Sequence, residues 1–362
     1  MQYELKSRQV CLFFIAFMPL TKLFMLPSVL AGINGEDMWI STVINVLIDF
    51  VTLFILTISA RRAKTNFYGL LENSFGKIGS KVILSFYLLY FILKAVLPLN
   101  EQKDYVEYTL YTLMPTSYYF LPFFIAAFYI CVKNLRVIGR ASDIMWIITA
   151  VGIIVLFSLS ISNADFGALL PVGAKGLANT VKGSYFSLAW FGDSVYLVFF
   201  IGEFVCNKKD CLKIMLSYAV GAFIVIAFMI IFYCIFTSIA HRQRFALTEI
   251  SKYTTVINNI GRFDYLGILF LLLSNIFSLS LPLFFACKIL NYVCGFSKKW
   301  ISPLIVVGIQ LIISIFLQQY FYSIENLIIN YGGIFFFIIG NVLPCLTLIL
   351  TKKENSYANT QS

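Results

Sequence analysis

VCLFFIAFMPLTKLFMLPSVLA, residues 10–31, is long enough to cross a bilayer and carries a lysine near its middle. A hydrocarbon core about 30 Å thick takes about 20 apolar residues in helical form. Pro19 removes a backbone donor inside that length, and Lys22 stands too deep to reach either surface easily. A cation at such depth costs about 2.5–3.5 kcal/mol on insertion scales, so it belongs against other helices or a cavity rather than lipid. A second stretch, YFSLAWFGDSVYLVFFIGEFV at 185–205, has the same design with the opposite charge: Gly192 loosens the backbone next to Asp193.

Composition agrees with the reading of these two segments. Of the 362 residues, 60% are hydrophobic and only 12% charged, the balance of an integral membrane protein. Runs of spanning length fall at 10–31, 38–60, 80–100, 117–135, 143–161, 185–205, 213–238, 265–290, 302–321 and 326–350. Lipid offers no partner for an unpaired amide, so each is expected to be helical, giving an all-α integral membrane protein with ten transmembrane helices. The first run is about twice the length of a signal-peptide core, and no small-residue cleavage site follows; it reads as a retained helix.

The net charge of +10 is distributed by loop. Eighteen of the 27 Lys and Arg fall at the N-terminus, 61–81, 133–140, 208–213, 288–299 and Lys352–Lys353. The alternate loops hold fewer cations and most of the acids, among them Glu36, Asp37, Glu101, Asp104 and Glu249. By the positive-inside rule both termini are cytoplasmic. Lys22 belongs to no loop. The eight cysteines scatter between apolar spans and one side of the membrane, and His241 is the sole histidine; neither a disulfide framework nor a metal site is expected, and no cofactor is implied. Of the long outer loops expected at 101–116, 162–184 and 239–264, the last contains FALTEISKYTTVINNI (245–260). Its Phe245, Ile250, Tyr253, Ile257 and Ile260 recur at helical spacing, as in an amphipathic helix lying across the outer face.

Ten spans divide as five plus five (10–161 and 185–350, followed by a cytoplasmic tail at 351–362), all within one transmembrane domain, 1–362. Because five is odd, the second set enters the membrane from the opposite side, the topology of an inverted repeat. Lys22 and Asp193 then occupy corresponding depths of spans one and six. Transporters of this architecture break those two helices near the midplane, leaving helix ends to face a substrate.

PLTKLFMLPSVLAGINGEDMW (19–39) resembles the opening signature of the spore-germinant receptor B subunits, a branch of the amino acid/polyamine/organocation transporter superfamily. Arg140-Ala141-Ser142-Asp143, the LLP at 169–171, Phe191-Gly192-Asp193 through Gly202-Glu203, and Gly261-Arg262-Phe263-Asp264 extend the resemblance through most of the chain. The resemblance implies a LeuT-type fold of ten helices and a place in the inner membrane of an endospore. It also implies two partners, a larger A-type membrane subunit and a C-type lipoprotein. Members resemble amino acid permeases and take part in sensing nutrients. The small Gly-rich break common in the superfamily's first span is replaced here by Pro-Leu-Thr-Lys.

Several residues are candidates for the site. The ammonium of Lys22 either neutralises a substrate carboxylate, stands where a sodium ion would sit, or forms a structural ion pair with Asp193 or Asp49. Asp193 either binds a ligand ammonium, takes and releases a proton, or pairs with Lys22. Pro19 and Gly192 make the breaks; Thr21 and Ser194 offer hydroxyls beside them, or bond their own helices. Trp190 and Phe191 are placed to cover a ligand. Asp49, in INVLIDFVTLF, is a partner for Lys22 or a proton site, and Glu203 is expected to pair with Lys208 or Lys209. Lys94 and Asn100 are read as snorkelling or gate residues near the outer surface. In span eight, Ser274 and Ser278 share a face and either coordinate an ion or cement packing.

The chain contains no Walker loop, Gly-x-Ser-x-Gly or His-Glu-x-x-His pattern, and an enzyme is not expected. Two functions fit. One is a nutrient-sensing receptor subunit that binds a small ligand, an amino acid above all, between spans one and six. The other is a free-standing secondary transporter of amino acids or polyamines coupled to H⁺ or Na⁺.

Overall fold

A computed structural model describes residues 4–63, 65–110, 116–252, 264–316 and 320–349, which are mostly helical, joined by short loops, with no strand among them. The helices are α1 (Ser7–Ala16), α2 (Leu26–Asn34), α3 (Met38–Arg62), α4 (Phe67–Leu110), α5 (Thr116–Val132), α6 (Leu135–Ser160) and α7 (Gly176–Ser187). They continue as α8 (Tyr196–Phe200), α9 (Lys208–Phe236), α10 (Ala246–Lys252), α11 (Asp264–Cys294), α12 (Ile301–Phe316), α13 (Phe321–Leu327) and α14 (Gly333–Phe337). Among the described residues, six helical stretches are long and apolar enough to cross a membrane, and Phe120–Val132 and Ile301–Phe316 are shorter apolar helices.

Two segments of the chain are interrupted where proline or glycine denies a continuous ladder. Between α1 and α2 the chain passes through a short 3₁₀ turn, Leu20–Lys22, entered at Pro19. Pro27 then sits in the first turn of α2, where a missing amide costs nothing. Between α7 and α8 it passes through two 3₁₀ turns, Leu188–Trp190 and Asp193–Val195, separated by Phe191 and a left-handed Gly192.

The packing carries these interruptions into the interior. α4 lies along α11, while α1 packs against α9 and α6, and α3 against α9 and α7. An aromatic floor lies on one side of the interruptions, formed by α1 before the first, α8 after the second, and rings from α4 and α11. Phe13 meets Tyr196 at 5.1 Å between ring centroids, Tyr196 meets Phe91 at 5.4 Å, and Phe285 meets Phe91 at 5.7 Å and Phe200 at 5.5 Å. Edge and offset pairs of this kind are worth about 0.5–1.5 kcal/mol each beyond the area they bury.

Several loop boundaries differ from the sequence expectation. α4 runs on to Leu110 instead of ending at Asn100, and α7 begins at Gly176, inside the expected loop 162–184. Residues 176–187 are too polar to announce a buried helix, but their polar groups find partners on α2 and α3. Asn34 donates to the Asn179 carbonyl at 3.1 Å, Ser41 to Thr180 at 2.8 Å and Asn45 to Ser184 at 2.9 Å. In place of the expected amphipathic helix across the outer face, the described residues form the short α10, and Phe245, Ala246, Leu247, Thr248 and Ile250 are all buried, so it is packed in on most sides rather than laid on the surface; Tyr253, Ile257 and Ile260 lie outside the described residues, as do most of the Gly261–Asp264 motif and the tail 351–362.

Candidate functional site

Interrupting a helix in an apolar interior frees carbonyls and amides that must be satisfied by something other than water. Here side chains do it. In the first interruption the Phe17 carbonyl accepts from the Ser278 hydroxyl at 3.3 Å, and the Met18 carbonyl accepts from the Lys22 ammonium at 2.9 Å. In the second, the Ala189 carbonyl accepts from Lys94 at 3.2 Å, the Phe191 carbonyl also accepts from Lys94, and the Gly192 carbonyl accepts from the Tyr90 hydroxyl at 3.1 Å.

The freed amides face an anion. Gly192 donates to the two carboxylate oxygens of Asp49 at 3.1 and 2.9 Å, and Asp193 donates at 3.3 Å. The Tyr218 hydroxyl adds a bond to Asp49 at 3.1 Å. Thus Lys94 stands at the carbonyl end of the α7 side and Asp49 at the amide end of the α8 side, each opposite to the partial charge of the helix end it meets.

Asp193 joins the two halves of the cluster. Its carboxylate is hydrogen-bonded to Lys22 and lies 3.7 Å from the Lys94 ammonium. Lys22 and Asp49 are fully buried, and Asp193 and Lys94 are 4% and 6% exposed. Two cations and two anions therefore cancel inside the bundle, the condition under which buried charge is tolerated. The Lys22 ammonium also lies 5.2 Å from the centre of the Phe191 ring, within cation–π range.

The backbone at Gly192 admits no side chain. Its φ is +85°, and a Cβ there would stand 2.8 Å from the Tyr90 hydroxyl and 3.6 Å from Cα of Gly340. Gly340 belongs to the last helical stretch, whose Asn341 accepts from Thr52 of α3 at 3.0 Å. Sequence reading missed Tyr90, Tyr218, Gly340 and Asn341 because each looks like an ordinary residue of an apolar helix. Lys94 was misplaced toward the surface; its position within FILKAVLPL, with apolar residues on both sides, was the available signal.

A cavity of ≈ 20 Å³ opens beside the charges, with Phe13, Phe17, Thr21, Lys94, Asp193, Tyr196 and Ser278 in its wall. That is room for a water molecule, which needs about 10–15 Å³ by this measure. Any larger guest requires the helices to part.

The structure thus brings Pro19, Thr21, Lys22, Asp49, Phe191, Gly192, Asp193 and Ser278 to one place. Ser194 is buried beside them with no partner for its hydroxyl, and the Ser274 hydroxyl, one turn from Ser278, is likewise unpartnered. Trp190 points away to the far side, donating its indole N–H to Glu101 at 2.9 Å. Glu203 makes no ion pair with Lys208 or Lys209 among the described residues; its carbonyl instead accepts from the Leu5 amide at 3.0 Å. Above the site, Arg244, at the entrance to α10, bridges Asp104 at 3.3 Å and Glu325 at 3.7 Å.

A family model described as spore germination protein, the spore permease family, matches residues 4–322. The chain belongs to that family. No protein of curated function matches it. The matched region takes in both interruptions and the four charges of the cluster, Lys22, Asp49, Lys94 and Asp193. Long apolar helices and family together make the protein an integral membrane protein with a germination-related role.

Proposed function

We propose that the chain is the nutrient-sensing membrane subunit of a germinant receptor. In this reading ten helices cross the spore's inner membrane in a LeuT-type inverted repeat, with both termini cytoplasmic. The two interrupted segments are spans one and six. A small nutrient, an amino acid, binds between them, and the movement this requires is passed to an A-type membrane subunit and a C-type lipoprotein.

The observation that carries the reading is the neutral cluster of Lys22, Lys94, Asp49 and Asp193 beside a cavity with both charged and apolar walls. A zwitterion presents one carboxylate and one ammonium at fixed spacing, so it exchanges with ion pairs in the cluster without leaving net charge behind. Lys94 offers a partner for the carboxylate and Asp193 for the ammonium, while Phe13, Phe17 and Leu281 suit a side chain without charge. Because the resting cavity has room only for a water-sized guest, binding must be coupled to helix movement, which is what a sensor needs.

Coupling to sodium is disfavoured by Lys94, whose ammonium already occupies the free carbonyls that a coupling cation would seek. Equilibrium binding of an amino acid panel to the purified chain tests the proposal. Neutral amino acids should bind, and Lys94→Met and Asp193→Asn should each abolish binding when compared at equal amounts of folded protein. Unchanged affinity in both variants would overturn the site. If the chain alone, reconstituted in vesicles, accumulates labelled amino acid, the transporter reading replaces the sensor.

A further inference from the structure

Away from the buried charges, two thiols meet where α8 leads into α9. The Sγ atoms of Cys206 and Cys211 are 3.3 Å apart, and both residues are half-buried. The contact follows from how α9 begins. Asn207 is its N-cap, forming a capping box in which the Asn207 amide donates to the Asp210 carboxylate at 3.2 Å. In such a start the residue before the cap packs against the fourth residue of the helix, as a staple that fixes the entry angle. Those two positions are usually hydrocarbon; here they are Cys206 and Cys211.

Groups of both signs surround this staple. Lys208 and Lys209 lie between the two cysteines in sequence, Arg61 is close enough to stabilise a thiolate at Cys206, and the amide end of α9 adds positive potential. Burial first, then the neighbouring Cys211 thiol, outweigh Arg61 and push the Cys206 thiol up. The Cys211 thiol meanwhile donates to the Thr57 carbonyl of α3 at 3.4 Å. Just before the staple, Gly202 is left-handed at φ +80° and packs so tightly that a Cβ would stand 2.6 Å from Cα of Asn66. The connection out of α8 is therefore held on one side by this close contact and on the other by the thiol pair.

We propose that Cys206 and Cys211 are an oxidisable dithiol that a peroxide closes to a disulfide, fastening the link between α8 and α9. The thiolate of one cysteine attacks the peroxide O–O bond, giving a sulfenic acid and, from hydrogen peroxide, one water. The second thiol displaces the sulfenic oxygen as a further water, forming the S–S bond. Two thiols lose two electrons and two protons, and hydrogen peroxide is reduced to two waters. The sulfurs, already in contact at 3.3 Å, need to approach to about 2.05 Å. Closure removes the donor to the Thr57 carbonyl and fixes the exit of α8, the helix that follows the Asp193–Val195 turn.

The full chain, purified reduced and then treated with hydrogen peroxide, tests this. Trypsin cuts at Lys208 and Lys209, so a disulfide should hold together two peptides that a reductant separates. Cys294, exposed and distant in sequence, should still accept maleimide. Cys206→Ser should leave Cys211 free to be alkylated after the same treatment, and hydrogen exchange over residues 196–207 should slow in the oxidised wild type only. Maleimide on both Cys206 and Cys211 after oxidation, or separate sulfinic acids without a cross-link, would overturn the pairing. A cross-link that leaves exchange over 196–207 unchanged would overturn the fastening.

Discussion

Asp49 holds Gly192 by its amide, with the two carboxylate oxygens at 3.1 and 2.9 Å. One residue comes from the middle of an uninterrupted helix and the other is the left-handed residue at an interruption, 143 positions later. The bond explains how backbone without a helical partner persists in an apolar interior: the carboxylate supplies what the next turn would have supplied.

Asp49→Asn should therefore destabilise the chain markedly. Hydrogen bonds to a charged group are worth about 1.5–3 kcal/mol, and the amide cannot accept on both sides while the Tyr218 hydroxyl also donates. Tyr218→Phe should cost less, about 0.5–1.5 kcal/mol. Thermal unfolding in one detergent should rank wild type above Tyr218→Phe and that above Asp49→Asn.

Asp193 and Lys22 should prove unequal partners. Lys22→Met leaves Asp193 with Lys94 at 3.7 Å, whereas Asp193→Asn strands two ammonium groups at once. Breaking a buried pair costs about 3–5 kcal/mol, and the larger loss is expected in Asp193→Asn. Exchanging the charges, Lys22→Asp with Asp193→Lys, should fail to restore stability because the new lysine faces Lys94. Equal losses in the single variants, or full rescue by exchange, would contradict this arrangement.

Gly192→Ala meets two obstacles that a second substitution separates. The left-handed backbone costs a residue with a Cβ about 1–3 kcal/mol, and that Cβ would also stand 2.8 Å from the Tyr90 hydroxyl. Tyr90→Phe removes the second obstacle and leaves the first. The double variant should unfold above Gly192→Ala and below wild type.

Arg244→Ala should loosen α10 with little change in overall stability. Its pair with Asp104 is partly exposed on both sides, at 26% and 23%, and such pairs are worth about 0–1 kcal/mol; the pair with the buried Glu325 is long, at 3.7 Å. The change should appear in access instead. A cysteine placed at Thr21, in the cavity wall, should react faster with a membrane-impermeant thiol reagent when Arg244 is replaced.

The membrane class and the two anomalous segments were plain in the residues, because a charge beside proline or glycine has no ordinary place in an apolar run. Which polar group meets which was not. Lys94 read as a surface residue because residues 101–110 carry enough charge to pass for a loop; in the structure Glu101 and Lys103 are buried and the helix simply continues. Likewise 176–187 looked too polar to be buried until α2 and α3 supplied Asn34, Ser41 and Asn45 as partners.

The sequence by itself determined that this chain is helical and lipid-embedded, and that its helices fail at Pro19 and Gly192, since backbone chemistry and hydropathy are local properties. Only the tertiary structure decided what meets those failures. Lys22, Asp49, Lys94 and Asp193 come from four separate stretches of chain, and electrostatic neutrality in a low-dielectric interior is a property of their assembly rather than of any one of them.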